Sequence, residues 1–201
     1  MLDRSVLRDV HRFWFGELQS PSAFPEAKTA TWYQQSDETD RQVRERFGRF
    51  IPEAAATPWD VALLSREEAV GLIVLLDQFP RNIFRSSGEA YAYDARALEL
   101  ARALGATGFA RFYWIERVAL LLPFEHSEDL GDQDYAVLLA AELAVGAPEN
   151  LRAFCREALD YAAWHRDVIR KFDRFPHRNA LLARQSTPEE ERFLAEKGRG
   201  F

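Results

Sequence analysis

The chain reads as an all-α protein, and three observations say so. Apolar residues recur at helical spacing along most of the 201 residues, no stretch alternates as a strand would, and capping residues and glycines punctuate the pattern at short intervals. About eight or nine helices joined by short connections follow, with 47% hydrophobic residues to fill a core. No composition shift or long linker divides the chain, so residues 1–201 are expected to form one domain.

The elements follow in order. Over residues 5–15, Val6, Leu7, Val10, Phe13 and Trp14 fall on one stripe, and Gly16 supplies the stop. A polar connection containing Pro21 and Pro25 leads to Ser36 or Asp37, either of which can cap a helix carrying Val43, Phe47, Phe50 and Ile51. Residues 56–60 read as a break, after which Ser65-Arg66-Glu67-Glu68 forms a capping box for an apolar helix running to Phe79. Pro80 disfavours the helical conformation of Phe79, which predicts an end or kink there. Further helices are predicted over 89–104, stopped by Gly105, and over 108–122, closed by Pro123. Ser127 is positioned to cap the next, which stops at Gly146. Pro148 suits the first turn of a long helix toward Phe175, and Thr187-Pro188-Glu189-Glu190 opens a last short one ahead of Gly198.

Charge and composition exclude several classes. The net charge of −6 argues against a broad basic face for nucleic acid. Cys155 is the one cysteine, which leaves no disulfide framework and no thiolate metal cluster; in its helical setting it reads as a small buried hydrophobe. No apolar run approaches the roughly 20 residues that cross a bilayer, and the N-terminus shows no signal pattern, so a cytoplasmic location is expected.

One phrase occurs twice: Asp77-Gln78-Phe79-Pro80-Arg81-Asn82 and Asp173-Arg174-Phe175-Pro176-His177-Arg178-Asn179. Each closes an apolar-periodic segment and gathers acid, aromatic, proline, guanidinium and amide. Charges beside buried rings must be paired, so the two copies form either one structural network or two walls of a site. In the structural reading Asp77 and Asp173 pair reciprocally with Arg178 and Arg81. In the functional reading Arg81, Arg85, His177 and Arg178 hold an anion such as phosphate or carboxylate, since the planar guanidinium fork suits that geometry. Asp77, Gln78, Asn82 and Asn179 complete the expected binding set.

A third polar cluster, Glu125-His126-Ser127-Glu128-Asp129, precedes a helix start. Capping accounts for Ser127, Glu128 and Asp129, but not for His126 or Glu125. His126, Glu125 and Asp129 are therefore the candidate acid–base residues. Metal ligation through His126, Asp129 and Asp132 is the weaker version, because no recognised metal-ligand spacing is present, and no metal site is predicted. His165 reads as a core or interface histidine and His11 as a partly exposed surface one.

These motifs, together with Phe13-Trp14-Phe15-Gly16 and Pro123-Phe124-Glu125-His126-Ser127-Glu128-Asp129-Leu130, resemble the DUF924 family in order and over nearly the whole chain. The resemblance implies a tetratricopeptide-like helical arrangement. It carries no reaction and no cofactor, but it implies that Asp77, Gln78, Arg81, Asn82, His126, Glu128, Asp129, His177, Arg178 and Asn179 share one centre. The leading functional expectation is a pocket for a small anionic ligand. Its rivals are a hydrolase built on His126 and carboxylates, with or without a metal, and an interaction module or homodimer using Trp32, Tyr33 or Tyr91.

Overall fold

The computed structural model describes residues 2–197, and among these there are helices and turns but no strands. The longest apolar run becomes the central element. Helix α5 (Arg66–Ile83) is opened by the reciprocal Ser65–Glu68 capping box. Ala69 to Asp77 are buried on every side, as expected of a helix that is apolar all round. Around it stand α1 (Arg4–Phe15), α3 (Asp37–Phe47), α4 (Ile51–Ala56), α6 (Asp94–Ala106) and α7 (Trp114–Glu125). The short α2 (Thr29–Tyr33) lies in the connection between α1 and α3.

The crossing of α1 and α5 depends on Gly71. A Cβ built there would stand 2.0 Å from the carbonyl oxygen of Leu7, so any larger residue would force the two helices apart. Helices α8 (Leu130–Gly146) and α9 (Arg152–Phe172) pack along each other, with α7 joining them to α5. Leu121, Leu143, Leu151 and Cys155 form a smaller core between these three. Cys155 is thus the buried hydrophobe that the sequence indicated, and burial raises its thiol pKa. The final helix, α10 (Pro188–Lys197), packs Phe193 on Phe172.

Two expected stops are not stops. Helix α5 continues through Pro80 to Ile83, and α7 through Pro123 to Glu125. A proline inside a helix forfeits one backbone bond, but the last turns are held by burial of Phe79, Pro80, Asn82 and Ile83, and of Pro123, Phe124 and Glu125. In α5 the Phe84 N–H also bonds the Pro80 carbonyl at 2.8 Å. Each proline is thus followed by a few more helical residues, and these include Arg81, Asn82 and Glu125.

Other boundaries move too. Residues 88–91 and 109–111 are single 3₁₀ turns, so α6 and α7 start later than their apolar pattern suggested. Helix α8 is capped by Asp129 and not by Ser127; Asp129 accepts from the Asp132 N–H at 3.0 Å. Gly198 lies outside the described residues.

Candidate functional site

The three polar clusters meet. Asp77, fully buried on α5, accepts hydrogen bonds from His126 Nδ1 at 2.8 Å and from Gln78 Nε2 at 2.7 Å. Burial alone would raise its pKa, but the neighbouring His126, which donates a hydrogen bond to it, and the charge of Arg81 outweigh that and hold it well below the ordinary carboxylate range. An ionised Asp77 places the proton of His126 on Nδ1, which leaves Nε2 as the basic nitrogen. Burial, reinforced by Arg81, lowers the His126 pKa and keeps the ring neutral.

The arginines do not pair as the doubled phrase suggested. Arg81 binds Asp94, the first residue of α6, in a two-pronged pair at 2.8 and 2.9 Å, and also donates to the Asp77 backbone carbonyl at 2.5 Å. Asp77 itself stands 3.7 Å from Arg81. Asp173 ends α9 in a left-handed conformation, φ 57°, and serves the chain reversal. Its neighbour Arg174 pairs with Glu190 on α10.

Arg178 is placed differently from Arg81. Its residue is 6% exposed, its guanidinium lies over the rings of Tyr91 and Phe175 at 4.5 and 4.6 Å, and Asp94 is 3.4 Å from Nη1. Asp94 is its one polar side-chain partner among the described residues, and its buried Nε has no hydrogen-bond partner. The turn that carries it is tied down by Glu128, which accepts from the Phe175 N–H at 2.8 Å and pairs with Arg184. Asn179, fully buried, bonds Ser186 at 3.1 Å.

These groups form one side of a cavity of about 1190 Å³. Gln78, Arg81, Asn82, Arg85, Glu125, His126, His177 and Arg178 all line it, and Asp77 stands directly behind His126. Asp129 and Asn179 do not line it: the first is spent on the α8 cap and the second on the 176–186 turn. Asn82 and Arg85 are both held by Asp40 of α3, at 2.8 Å and at 2.5 to 2.8 Å.

Glu125 has the most altered carboxyl. It is 3% exposed, the last residue of α7, and burial followed by the charge of Asp77 pushes its pKa up to about 8. The negative end of the helix dipole also disfavours a carboxylate there. His165, whose Nδ1 lies 3.7 Å from Glu125, lines the cavity as well, and burial lowers its pKa to about 4. Burial, with Arg178 next, brings His177 to about 3.

The DUF924 family model, described as a bacterial protein of unknown function, matches residues 10–198, a span that contains the doubled phrase and the 125–129 turn. The chain belongs to the DUF924 family. Its fold is similar to the solved structure of a DUF924-like protein of unknown function, ATU0120 from Agrobacterium tumefaciens, with TM-score 0.77, 32% identity, and coverage of 96% of this chain and 99% of that one. Among curated proteins none matches.

Sequence reasoning passed over three contributors to this DUF924 site: Asp94, Asp40 and His165. Asp94 and Asp40 sit in ordinary helix first turns, where an acid needs no further reason, so no local signal marked them. His165 differs in lying one turn after Tyr161, and both face the cavity.

Proposed function

We propose that the cavity binds a small molecule through an anionic group, with Arg178 as the cation that meets it. The supporting observation is the contrast between two arginines a few ångströms apart. Arg81 is saturated by Asp94 and the Asp77 carbonyl, whereas Arg178 is buried, half-supplied with acceptors, and on the cavity wall. A desolvated guanidinium with unused donors is costly unless an acceptor arrives. A planar carboxylate or a phosphate supplies that acceptor in the geometry the fork requires. In this reading Arg81, Asp94 and Tyr91 form the scaffold that holds Arg178 in place.

The test is calorimetric titration of the full chain with hexanoate, 3-phenylpropionate and inorganic phosphate. Saturable binding of at least one is expected. Arg178→Gln should weaken it by about 10- to 100-fold, the loss of a charge-assisted hydrogen bond. Arg178→Lys, which keeps the charge without the fork, should fall between. Arg81→Gln should instead lower the melting temperature, because it takes the two-pronged partner from Asp94 and a neighbouring charge from Asp77. Absence of binding by all three anions, or equal affinity in wild type and Arg178→Gln, overturns the proposal.

A further inference from the structure

The cavity is ordered along its length. At one end are Arg178, Arg81, Asp94 and Tyr91. The Asp77–Arg81 contact of 3.7 Å leads to the middle, where His126, Glu125 and His165 stand together; the His126 and His165 rings are 6.5 Å apart and Glu125 is 3.7 Å from His165. His165 Nδ1 donates to the Tyr161 carbonyl at 2.9 Å, which begins the far end. There Tyr33, Trp32, Phe15 and Phe154 form an aromatic wall, Trp32 lying 5.8 Å from Phe15 and 6.3 Å from both Tyr33 and Phe154. All of these except Asp94 and Asp77 line the cavity. Tyr33 is 63% exposed and Tyr161 49%, so the aromatic end is also the open one.

From this order we infer that the protein hydrolyses an amphipathic anionic amide of the N-acyl amino acid class. The amino-acid carboxylate lies at Arg178, the amide bond at His126 and Glu125, and the apolar acyl group along Trp32, Phe15 and Phe154. The inference rests on the anion-binding reading above and adds to it a reaction and a substrate class.

The chemistry follows from the groups present. His126 Nε2 takes a proton from water while the water oxygen bonds to the amide carbon. Glu125 gives its proton to the carbonyl oxygen, so the tetrahedral intermediate carries no free negative charge. The intermediate collapses, Glu125 recovers its proton, the C–N bond breaks, and the imidazolium proton goes to the leaving nitrogen. One water is consumed; a fatty or aryl carboxylic acid and a free amino acid are released, and His126 and Glu125 end in their starting states.

An amide suits the site better than an ester, because an amine must be protonated to leave, and the centre holds both a base and an acid. Asp77 lies behind His126 and does not reach the cavity, so it orients the imidazole as a positioning residue. Cys155 is buried between α8 and α9 and does not line the cavity, so it is not the nucleophile, and water takes that part in this proposal.

The experiment uses the purified full chain with N-octanoyl derivatives of glycine, β-alanine and 4-aminobutyrate, together with N-acetylglycine and the neutral N-octanoylglycinamide. Free amino acid is measured by mass spectrometry, and reaction in ¹⁸O-water should place one heavy oxygen in the octanoate. At least one octanoyl amino acid should be cleaved, faster than N-acetylglycine. His126→Asn keeps a donor for Asp77 and removes Nε2; it should cut turnover by about 100-fold or more at an unchanged melting temperature. Arg178→Gln should raise KM for the anionic substrate and leave the glycinamide unaffected. Binding of the octanoyl amino acids without release between about pH 6 and 9 overturns the hydrolysis while the anion-binding reading stands. No binding of any of them overturns the hydrolysis and the substrate class, and overturns the anion-binding reading too only where hexanoate, 3-phenylpropionate and phosphate also fail to bind; equal cleavage of the neutral glycinamide overturns the anionic head.

Discussion

Among the described residues two buried imidazole–carboxylate pairs are hydrogen-bonded, and only one of them faces the cavity. His11 on α1 meets Glu116 on α7 at 2.5 Å, with the residues 4% and 0% exposed. Glu116 also accepts from Arg66 and from the Tyr113 N–H at 2.8 Å, and Arg66 stacks on Tyr113 at 3.7 Å. None of His11, Glu116 or Arg66 lines the cavity. The Asp77–His126 pair has the same bond between the same groups, but the far side of His126 is on the cavity wall. A pair whose remaining valences are filled by protein ties helices together; a pair with one nitrogen facing a cavity has capacity left for a ligand or a proton.

The comparison breaks hardest at Glu116. Replacing it with Gln removes the carboxylate shared by His11 and Arg66 and leaves the part-buried Arg66 with Glu67 as its remaining acidic partner. Breaking such a pair costs about 3 to 5 kcal/mol, so denaturant unfolding of Glu116→Gln should show a loss of that order. A loss below about 1 kcal/mol would mean that this pair is no more structural than a surface one.

His11 also shows where sequence reading stops. One polar residue on an amphipathic helix looks like the edge of the solvent face, and the partner that buries it lies over a hundred residues away on α7. Asp94 and Asp40 were hidden for the same reason: a carboxylate in a helix first turn already has a local role, and the arginines that claim these two come from α5, the turn after it and the 176–178 turn. The helices themselves were legible because periodicity and caps are local. The convergence of the three polar clusters was legible because unusual residues gathered where local folding had no use for them. Pro80 and Pro123 misled for a physical reason. The rule they carry concerns an isolated backbone, and buried side chains beyond each proline outweigh the lost bond.

A second prediction separates the open pair's surroundings by pH. Glu125 keeps its proton to about 8 in the folded chain, against an ordinary 4.5. The unfolded chain therefore releases that proton first, and stability falls as pH rises from about 4.5 to 8 and then levels. His165 and His177 are lowered to about 4 and about 3 from 6.5, so the unfolded chain takes up protons first as pH drops below 6.5, and stability falls on that side too. Two histidines outweigh one carboxyl between 4.5 and 6.5, which puts the stability maximum of this cluster near 6.5. The groups facing it are Asp77 and Arg81 of α5, His126 after α7, Tyr33 of α2, Tyr91, Glu157 and Tyr161 of α9, and Arg178. Glu125→Gln should remove the alkaline fall, raising the denaturant midpoint at about pH 9 and changing it little at about pH 5. An unchanged alkaline limb would place the titration elsewhere.

The smallest effect is expected at His126. Asn in its place puts an amide nitrogen near the position of Nδ1, so Asp77 keeps a donor along with Gln78 and the nearby Arg81. What disappears is Nε2, which faces the cavity. Unfolding of His126→Asn should therefore cost about 1 kcal/mol or less, the net value of one ordinary hydrogen bond. A cost near that of Glu116→Gln would show that His126, like His11, is held chiefly to fasten α5 to α7. Stability retained alongside loss of turnover on the octanoyl amino acids is the pattern that only a working Nε2 produces, because a purely structural histidine would move the first measurement and leave nothing for the second to lose.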